Sequence, residues 1–310
     1  MQVFNSKRDK MTNLNRTIKL LACASLAVFF VTTTAFAQET ISKKFDVKEG
    51  GTLELDIDYG TIHIEPSSGK TVTVDLIRRI KGVSGAEESE ILDHHEYKIE
   101  QRGSDVYVES RFDRDSEGNG AWRKWKNDSR FSLEVNISVP EVYNVEFTTG
   151  AGNITIADLE GTIRGKTGAG NVILGDILGG IDISSGAGNI EVDGARGYVY
   201  ANSGAGNITL DDIEGTLDIK TGAGNVVATI TNRLDGESEL KSGAGNVTVY
   251  LDSGVGATVD GQASIGSAKT DYDLDVKGKW MSKSFSGKVN GGGPSLTLHS
   301  GVGNVTLRKL

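Results

Sequence analysis

The chain has 310 residues, a formal net charge of −9, 41 glycines, three prolines and one cysteine, Cys23. A single cysteine excludes a disulfide framework and a thiolate metal site, and the acidic balance disfavours nucleic acid and anionic lipid as partners. Much glycine with little proline is the composition of a turn-rich β protein, and the length is within reach of one domain.

The first 37 residues read as an export signal. Lys7, Arg8, Lys10, Arg16 and Lys19 precede an apolar run over residues 20–31, and Ala35-Phe36-Ala37 forms an A-x-A cleavage site. Residues 1–37 are therefore expected to be removed, leaving a chain that begins near Gln38 in the periplasm, on the outer cell surface or in the medium. Their loss takes away five basic residues and one acidic residue, moving the net charge from −9 to about −13. Cys23 follows Lys19 by only four residues, which argues against a lipid-attachment box. No later stretch is apolar for long enough to span a membrane as a helix.

Residues 38–148 form an irregular β region that leads into the segment after it. Alternating apolar residues predict strands over 52–56 (Leu53, Leu55), 61–64 (Ile62, Ile64), 72–76, 97–102, 106–109 and 132–139. Pro140 ends the last of these, where the ladder loses a donor. Residues 81–96 are polar and predict a loop or a short exposed helix.

Residues 149–253 repeat. Gly-Ala-Gly-Asn starts at Gly150, Gly168, Gly186, Gly204 and Gly222, at a constant spacing of 18, and again at Gly243; Gly-Val-Gly-Asn starts at Gly301. The position after each Asn is branched and apolar (Ile154, Val172, Ile190, Ile208, Val226, Val247, Val305), and a second apolar residue follows two positions on. A spacing of two puts both side chains on one face of a strand. Further apolar columns run through Leu159, Ile177, Ala195 and Ile213, and through Ile163, Ile181, Val199 and Leu217. The paired glycines of the tetrapeptide and a second column, Gly161, Gly179, Gly197 and Gly215, mark two corners. A fixed period of this length marks a repeat architecture. The expected fold is an all-β, single-stranded, right-handed parallel β-helix with 18-residue coils, capped at both ends. In it Asn153, Asn171, Asn189, Asn207, Asn225, Asn246 and Asn304 form a structural turn ladder of amide-to-amide hydrogen bonds. Residues 254–310 continue at irregular spacing, with a polar hairpin or flap over 271–290, and are expected to cap the C-terminal end.

These parts resemble a known bacterial family of adhesin-like proteins, the domain of unknown function numbered 4097. The resemblance is carried by Gly51-Thr-Leu-Glu-Leu55, by Val139-Pro140 closing a strand, by the serial Gly-x-Gly-Asn turns and by Gly292-Gly-Pro-Ser-Leu-Thr-Leu298. It implies a β-helix of the surface or periplasm, without catalytic residues to carry over.

Candidate sites are few. Outward positions of the second strand of each repeat place Arg164, Asp182, Tyr198, Tyr200 and Asp218 on one face, where tyrosine rings could stack on a sugar and charged groups bond its hydroxyls. Trp122, Arg123, Lys124, Trp125 and Lys126 form a basic aromatic loop, and Lys277, Lys279, Trp280, Lys283 and Lys288 a second, suited to an anionic group or a surface. An acidic column, Asp158, Asp176 and Asp212, has the residue type of a calcium site and equally that of turns facing water. Asp93-His94-His95-Glu96 lacks a nearby third ligand, so no metal site is expected. No phosphate loop, dinucleotide fingerprint, nucleophile elbow or zinc-protease helix is present, so no cofactor is expected. The expected function is that of a non-enzymatic exported envelope protein, adhesin-like, binding a glycan of the envelope or extracellular space, or an envelope protein. A polysaccharide-cleaving enzyme using Arg164, Asp182 and Asp218, and a periplasmic stress or assembly factor, are the alternatives.

Overall fold

The computed structural model describes residues 37–82, 85–112, 131–279 and 282–310. They build one continuous 24-stranded sheet with a single short helix, Ala86–Asp93, among the described residues. The strands fall into two rows that share one core.

The first row runs His95–Arg102, Asp105–Phe112, Thr52–Tyr59, Asn144–Ala151, Ile163–Ala169 and Ile181–Ala187. It continues through the second halves of Ile190–Ala205 and Ile208–Ala223 to Ser238–Ala244 and Ser295–Val302. Ala257–Ile265, Ser282–Val289 and Asp275–Lys279 complete it. The second row runs Ala37–Asp46, Thr71–Ile80, Phe131–Pro140, Thr61–Ser67, Ile154–Ile156 and Val172–Leu178. The first halves of Ile190–Ala205 and Ile208–Ala223 follow, then Val226–Leu234, Val247–Leu251, Val305–Lys309 and Ala268–Thr270.

In the repeat segment neighbouring strands are parallel, and the apolar columns stack: Val145, Ile163, Ile181, Val199 and Leu217 lie directly opposite one another in turn. All five are essentially inaccessible to solvent, and each such side chain contributes roughly 1.5–3 kcal/mol on burial. Gly165 breaks the aliphatic run of its column for a packing reason. The Phe147 ring occupies the space a Cβ at Gly165 would need, and the two residues are register partners.

The expected parallel β-helix of capped 18-residue coils is corrected by this pairing. The sheet is mixed: Thr71–Ile80 pairs antiparallel with both Ala37–Asp46 and Phe131–Pro140, His95–Arg102 with Asp105–Phe112, and Ser282–Val289 with both Ala257–Ile265 and Asp275–Lys279. These segments lack the tetrapeptide, so nothing returns the chain to the same corner; it doubles back by hairpins at 95–112 and 275–289 and by longer antiparallel returns elsewhere. The ends are therefore continuations of the sheet, and no discrete caps close it. The spacing is not uniform either: Asn304 follows Asn246 on the ladder after 58 residues. The C-terminal strands do not cap the molecule. They lie between the strands of residues 238–251 and those of 257–270.

The result is an all-β mixed sheet nearly closed into a barrel, with one unsealed seam. Ile190–Ala205 and Ile208–Ala223 pass unbroken from the second row into the first, so the sheet bends round the core at Gly197 and Gly215. At the other corner, the Gly-Asn line, the strands are interrupted. There each Asn backbone N–H points back along the stack and donates to the Oδ1 of the preceding Asn: Asn171 to Asn153 at 3.0 Å, Asn189 to Asn171 at 3.0 Å, Asn207 to Asn189 at 2.9 Å, Asn225 to Asn207 at 2.8 Å. The ladder is thus mainly backbone to side chain. Amide-to-amide bonds of the expected kind occur from Asn246 to Asn225 and from Asn304 to Asn246.

Candidate functional site

Register decides which outward side chains meet. Along the first row, Tyr107, Glu54, Glu146, Arg164, Asp182, Tyr200, Asp218 and Glu239 are consecutive opposite partners on successive strands. The adjacent outward line carries Asp56, Thr148, Lys166, Ser184, Asn202, Lys220 and Lys241. Arg164, Asp182, Tyr200 and Asp218, which are scattered through 55 residues of sequence, therefore form one continuous line across four strands.

Tyr198 joins them from the same strand as Tyr200. The two rings are 5.1 Å apart between centroids and inclined by 31°. The Tyr198 ring lies across Gly180, whose missing side chain makes room for it. Glu146, which receives the Arg164 guanidinium at 3.0 Å, is the main cause that raises the pKa of that group, and nearby Tyr198 adds to it. Tyr200 is 43 % exposed. Asp218 accepts from Lys220 at 2.9 Å, and Glu239 from Lys241 at 2.5 Å. At this exposure such pairs orient the side chains and contribute little stability. Beside the tyrosines lies a groove of about 460 Å³, lined by Glu54, Asp56, Tyr107, Glu146, Thr148, Arg164, Lys166 and Asp182.

The other candidates sit elsewhere. Trp122, Arg123, Lys124, Trp125, Lys126 and Trp280 lie outside the described residues. Lys277, Lys283 and Lys288 belong to the hairpin of Asp275–Lys279 and Ser282–Val289. In the acidic column Asp158 Oδ1 accepts the Asp176 backbone N–H at 2.9 Å, a turn role, while Asp212 accepts from the Thr231 hydroxyl and from Arg196. His94 is the C-terminal cap of Ala86–Asp93, and His95 is buried. Among the described residues no three metal-ligating side chains converge, and no helix is long and apolar enough to cross a membrane.

Two features escaped the reading of the residues. A column of buried hydroxyls, Thr149, Thr167, Ser185, Ser203, Thr221, Ser242 and Ser300, precedes the tetrapeptides. Ser203, Thr221, Ser242 and Ser300 donate to glycine carbonyls of a neighbouring corner at 2.7–3.0 Å. The signal was available, since every tetrapeptide and its variant follow a Ser or Thr. The second is the environment of His95. Its Nε2 pairs with the Ser110 hydroxyl at 2.7 Å, and the rings of Phe112, Phe131 and Tyr97 surround it at 4.9, 5.5 and 6.5 Å. Burial first and the Arg78 charge second push its pKa down to about 4, against an opposing pull from Asp58. Tyr97 shares its strand and Ser110 and Phe112 lie on the hairpin partner, but Arg78, Phe131 and Asp58 come from other strands, so no local pattern announced the site.

The profile of the toastrack DUF4097 family matches residues 51–308. No curated protein matches the chain. Among solved structures, a candidate cell adhesion protein from Clostridium sporogenes is 15% identical over 89% of this chain and 100% of its own, with a TM-score of 0.33. A candidate adhesin from Bacteroides fragilis is 14% identical over 88% and 97%, with a TM-score of 0.34. A candidate lipid-binding protein from Parabacteroides distasonis is 12% identical over 87% and 96%, also at 0.34. Likeness at this level leaves function to be argued from the chain's own residues. The family match spans most of the chain, and with it the resemblance carried by Gly51 to Leu55, the Gly-x-Gly-Asn turns and Gly292 to Leu298 becomes membership: this protein belongs to the toastrack DUF4097 family.

Proposed function

We propose that the protein is a non-enzymatic binding protein of the cell envelope or extracellular space, presenting the outward face of its first row to a glycan or to a protein. The observation that carries this reading is the in-register line of Arg164, Asp182, Tyr200 and Asp218, with the Tyr198 and Tyr200 rings side by side at an open groove. Flat aromatic rings with polar rims, set among paired charges, are suited to sugar faces and hydroxyls. Multiple weak contacts on successive strands add along a polymeric ligand.

Binding is favoured over polysaccharide cleavage by the state of two of the three groups that chemistry would use. Arg164 is held by Glu146 and Asp218 by Lys220, and the face is open to water, where charge stabilisation is weak. The test is an array of glycans and envelope components, with release of reducing sugar followed on the same panel. A bound glycan or envelope protein lost on Tyr198→Ala with Tyr200→Ala is the expected outcome. Unchanged binding in that double variant removes this face from the reading, and sugar release would replace it with the enzymatic one.

A further inference from the structure

The groove lies on an outward line with a tyrosine at each end. Tyr107 lines the groove itself, Glu54, Glu146, Arg164 and Asp182 follow on successive strands, and Tyr200, with Tyr198 beside it, stands one strand beyond Asp182. Five strand-to-strand steps separate Tyr107 from Tyr200, about 24 Å at about 4.8 Å per step. One strand step is close to the advance of one hexose in an extended chain. A linear oligosaccharide laid across the strands would thus meet one register position per sugar and a tyrosine at each end.

The charges between the rings choose among such chains. Four carboxylates and two cations line the groove. Arg164 is engaged by Glu146, and Asp56 by Arg111. Glu54 and Asp182 have no ion-pair partner among the described residues, and they stand three strand steps apart, about 14 Å. A uronic-acid or sulfated chain would set its anions against them, which costs affinity. An ammonium group on the sugar would complete them with charge-assisted hydrogen bonds, the stronger kind.

We propose that this groove binds a linear, amine-bearing glycan about five sugars long, lying across the strands with ammonium groups at Glu54 and Asp182 and ring faces on Tyr107 and Tyr200. The assignment rests on the first-row face being a glycan-binding surface. Its test is titration calorimetry on the purified protein with a β-linked glucosamine pentamer, the N-acetylated pentamer, a uronic-acid pentamer and a lysine-containing pentapeptide. The free-amine pentamer is expected to bind at least fivefold more tightly than the acetylated one. Asp182→Asn and Glu54→Gln should each erase most of that preference, and chains longer than the pentamer should gain little. Equal affinity for amine and acetyl forms, an unchanged preference in both variants, or tighter binding of the peptide would overturn the proposal. If Tyr200→Ala weakens both neutral and basic oligomers alike while Asp182→Asn does nothing, the face still binds glycan and only the amine assignment fails. If no oligomer binds, the amine assignment falls, and the broader reading of the face is decided by the array and the Tyr198→Ala with Tyr200→Ala variant.

Discussion

At the Gly-Asn corner, a side-chain amide oxygen accepts a main-chain N–H of the next turn. Replacing Asn189 with Ala leaves the Asn207 backbone N–H, which is exposed, to bond water instead. We expect a loss of roughly 0.5–1.5 kcal/mol, read as a lowered urea midpoint with unchanged slope. The neighbouring glycines act through space as well as conformation. Gly188 has a φ of +146°, and a Cβ there would collide with the Gly170 carbonyl. Because the obstacle is main chain, it cannot rotate away. At Gly165 the obstacle is the Phe147 ring. Gly165→Ala should destabilise by about 1–3 kcal/mol through overpacking, and most of that cost should vanish in a Phe147→Leu background. An additive double-mutant cycle would show that the two residues do not compete for one volume.

At the scale of elements, the buried His95 couples five strands to pH. It sits on His95–Arg102 against Ser110 and Phe112 of Asp105–Phe112, with Arg78 of Thr71–Ile80, Phe131 of Phe131–Pro140, Tyr97 beside it and Asp58 of Thr52–Tyr59 also facing it. The folded-state value of about 4 lies below the ordinary 6.5, so between those values the unfolded chain binds more protons. The stabilisation is complete above pH 6.5 and is lost as pH falls towards 4, by roughly 3 kcal/mol at most. Denaturant unfolding at pH 7.5, 5.5 and 4.5 should show this fall, and His95→Gln should flatten it. An identical pH profile in the variant would assign the effect to other groups. Arg78, beside it, bonds Glu39 on Ala37–Asp46 and the Leu92 carbonyl of Ala86–Asp93, so the same cluster ties the first strand and the helix to the sheet.

For the molecule as a whole, the order of the C-terminal strands matters most. Leu296 and Leu298 are fully buried between Ser238–Ala244 and Ala257–Ile265, and Val305 and Leu307 between Val247–Leu251 and Ala268–Thr270. A chain ending at residue 290 would leave the strands of 238–251 paired on one side only and would take from those of 257–270 their parallel partners. Limited proteolysis should then cut on both sides of the gap, within 238–251 and within 257–270. Protection of 238–251 in that truncation would mean the strands before the insertion are stable without it. Leu298→Ala should cost about 2–5 kcal/mol, as for an interior position and unlike a residue at a frayed end. The outermost strands carry charged residues: Lys43 and Lys44 on Ala37–Asp46, Lys98 and Arg102 on His95–Arg102, and Lys277 on Asp275–Lys279. Lysines on an unpaired edge discourage end-to-end pairing of copies.

What the residues determine alone is whatever repeats. The period of 18, the inward columns and the corner glycines are legible because each is a local pattern copied many times, and stacking turns a sequence column into a spatial one. The line of Arg164, Asp182, Tyr200 and Asp218 was readable for the same reason. Strand partners outside the repeat were not. Whether Thr71–Ile80 pairs antiparallel with Phe131–Pro140, or where residues 295–309 insert, depends on contacts between segments whose own patterns fit several neighbours equally. Only tertiary packing chooses among them, by filling one core and satisfying the backbone groups along both rows. That choice made the sheet mixed and buried His95 among groups of four other strands.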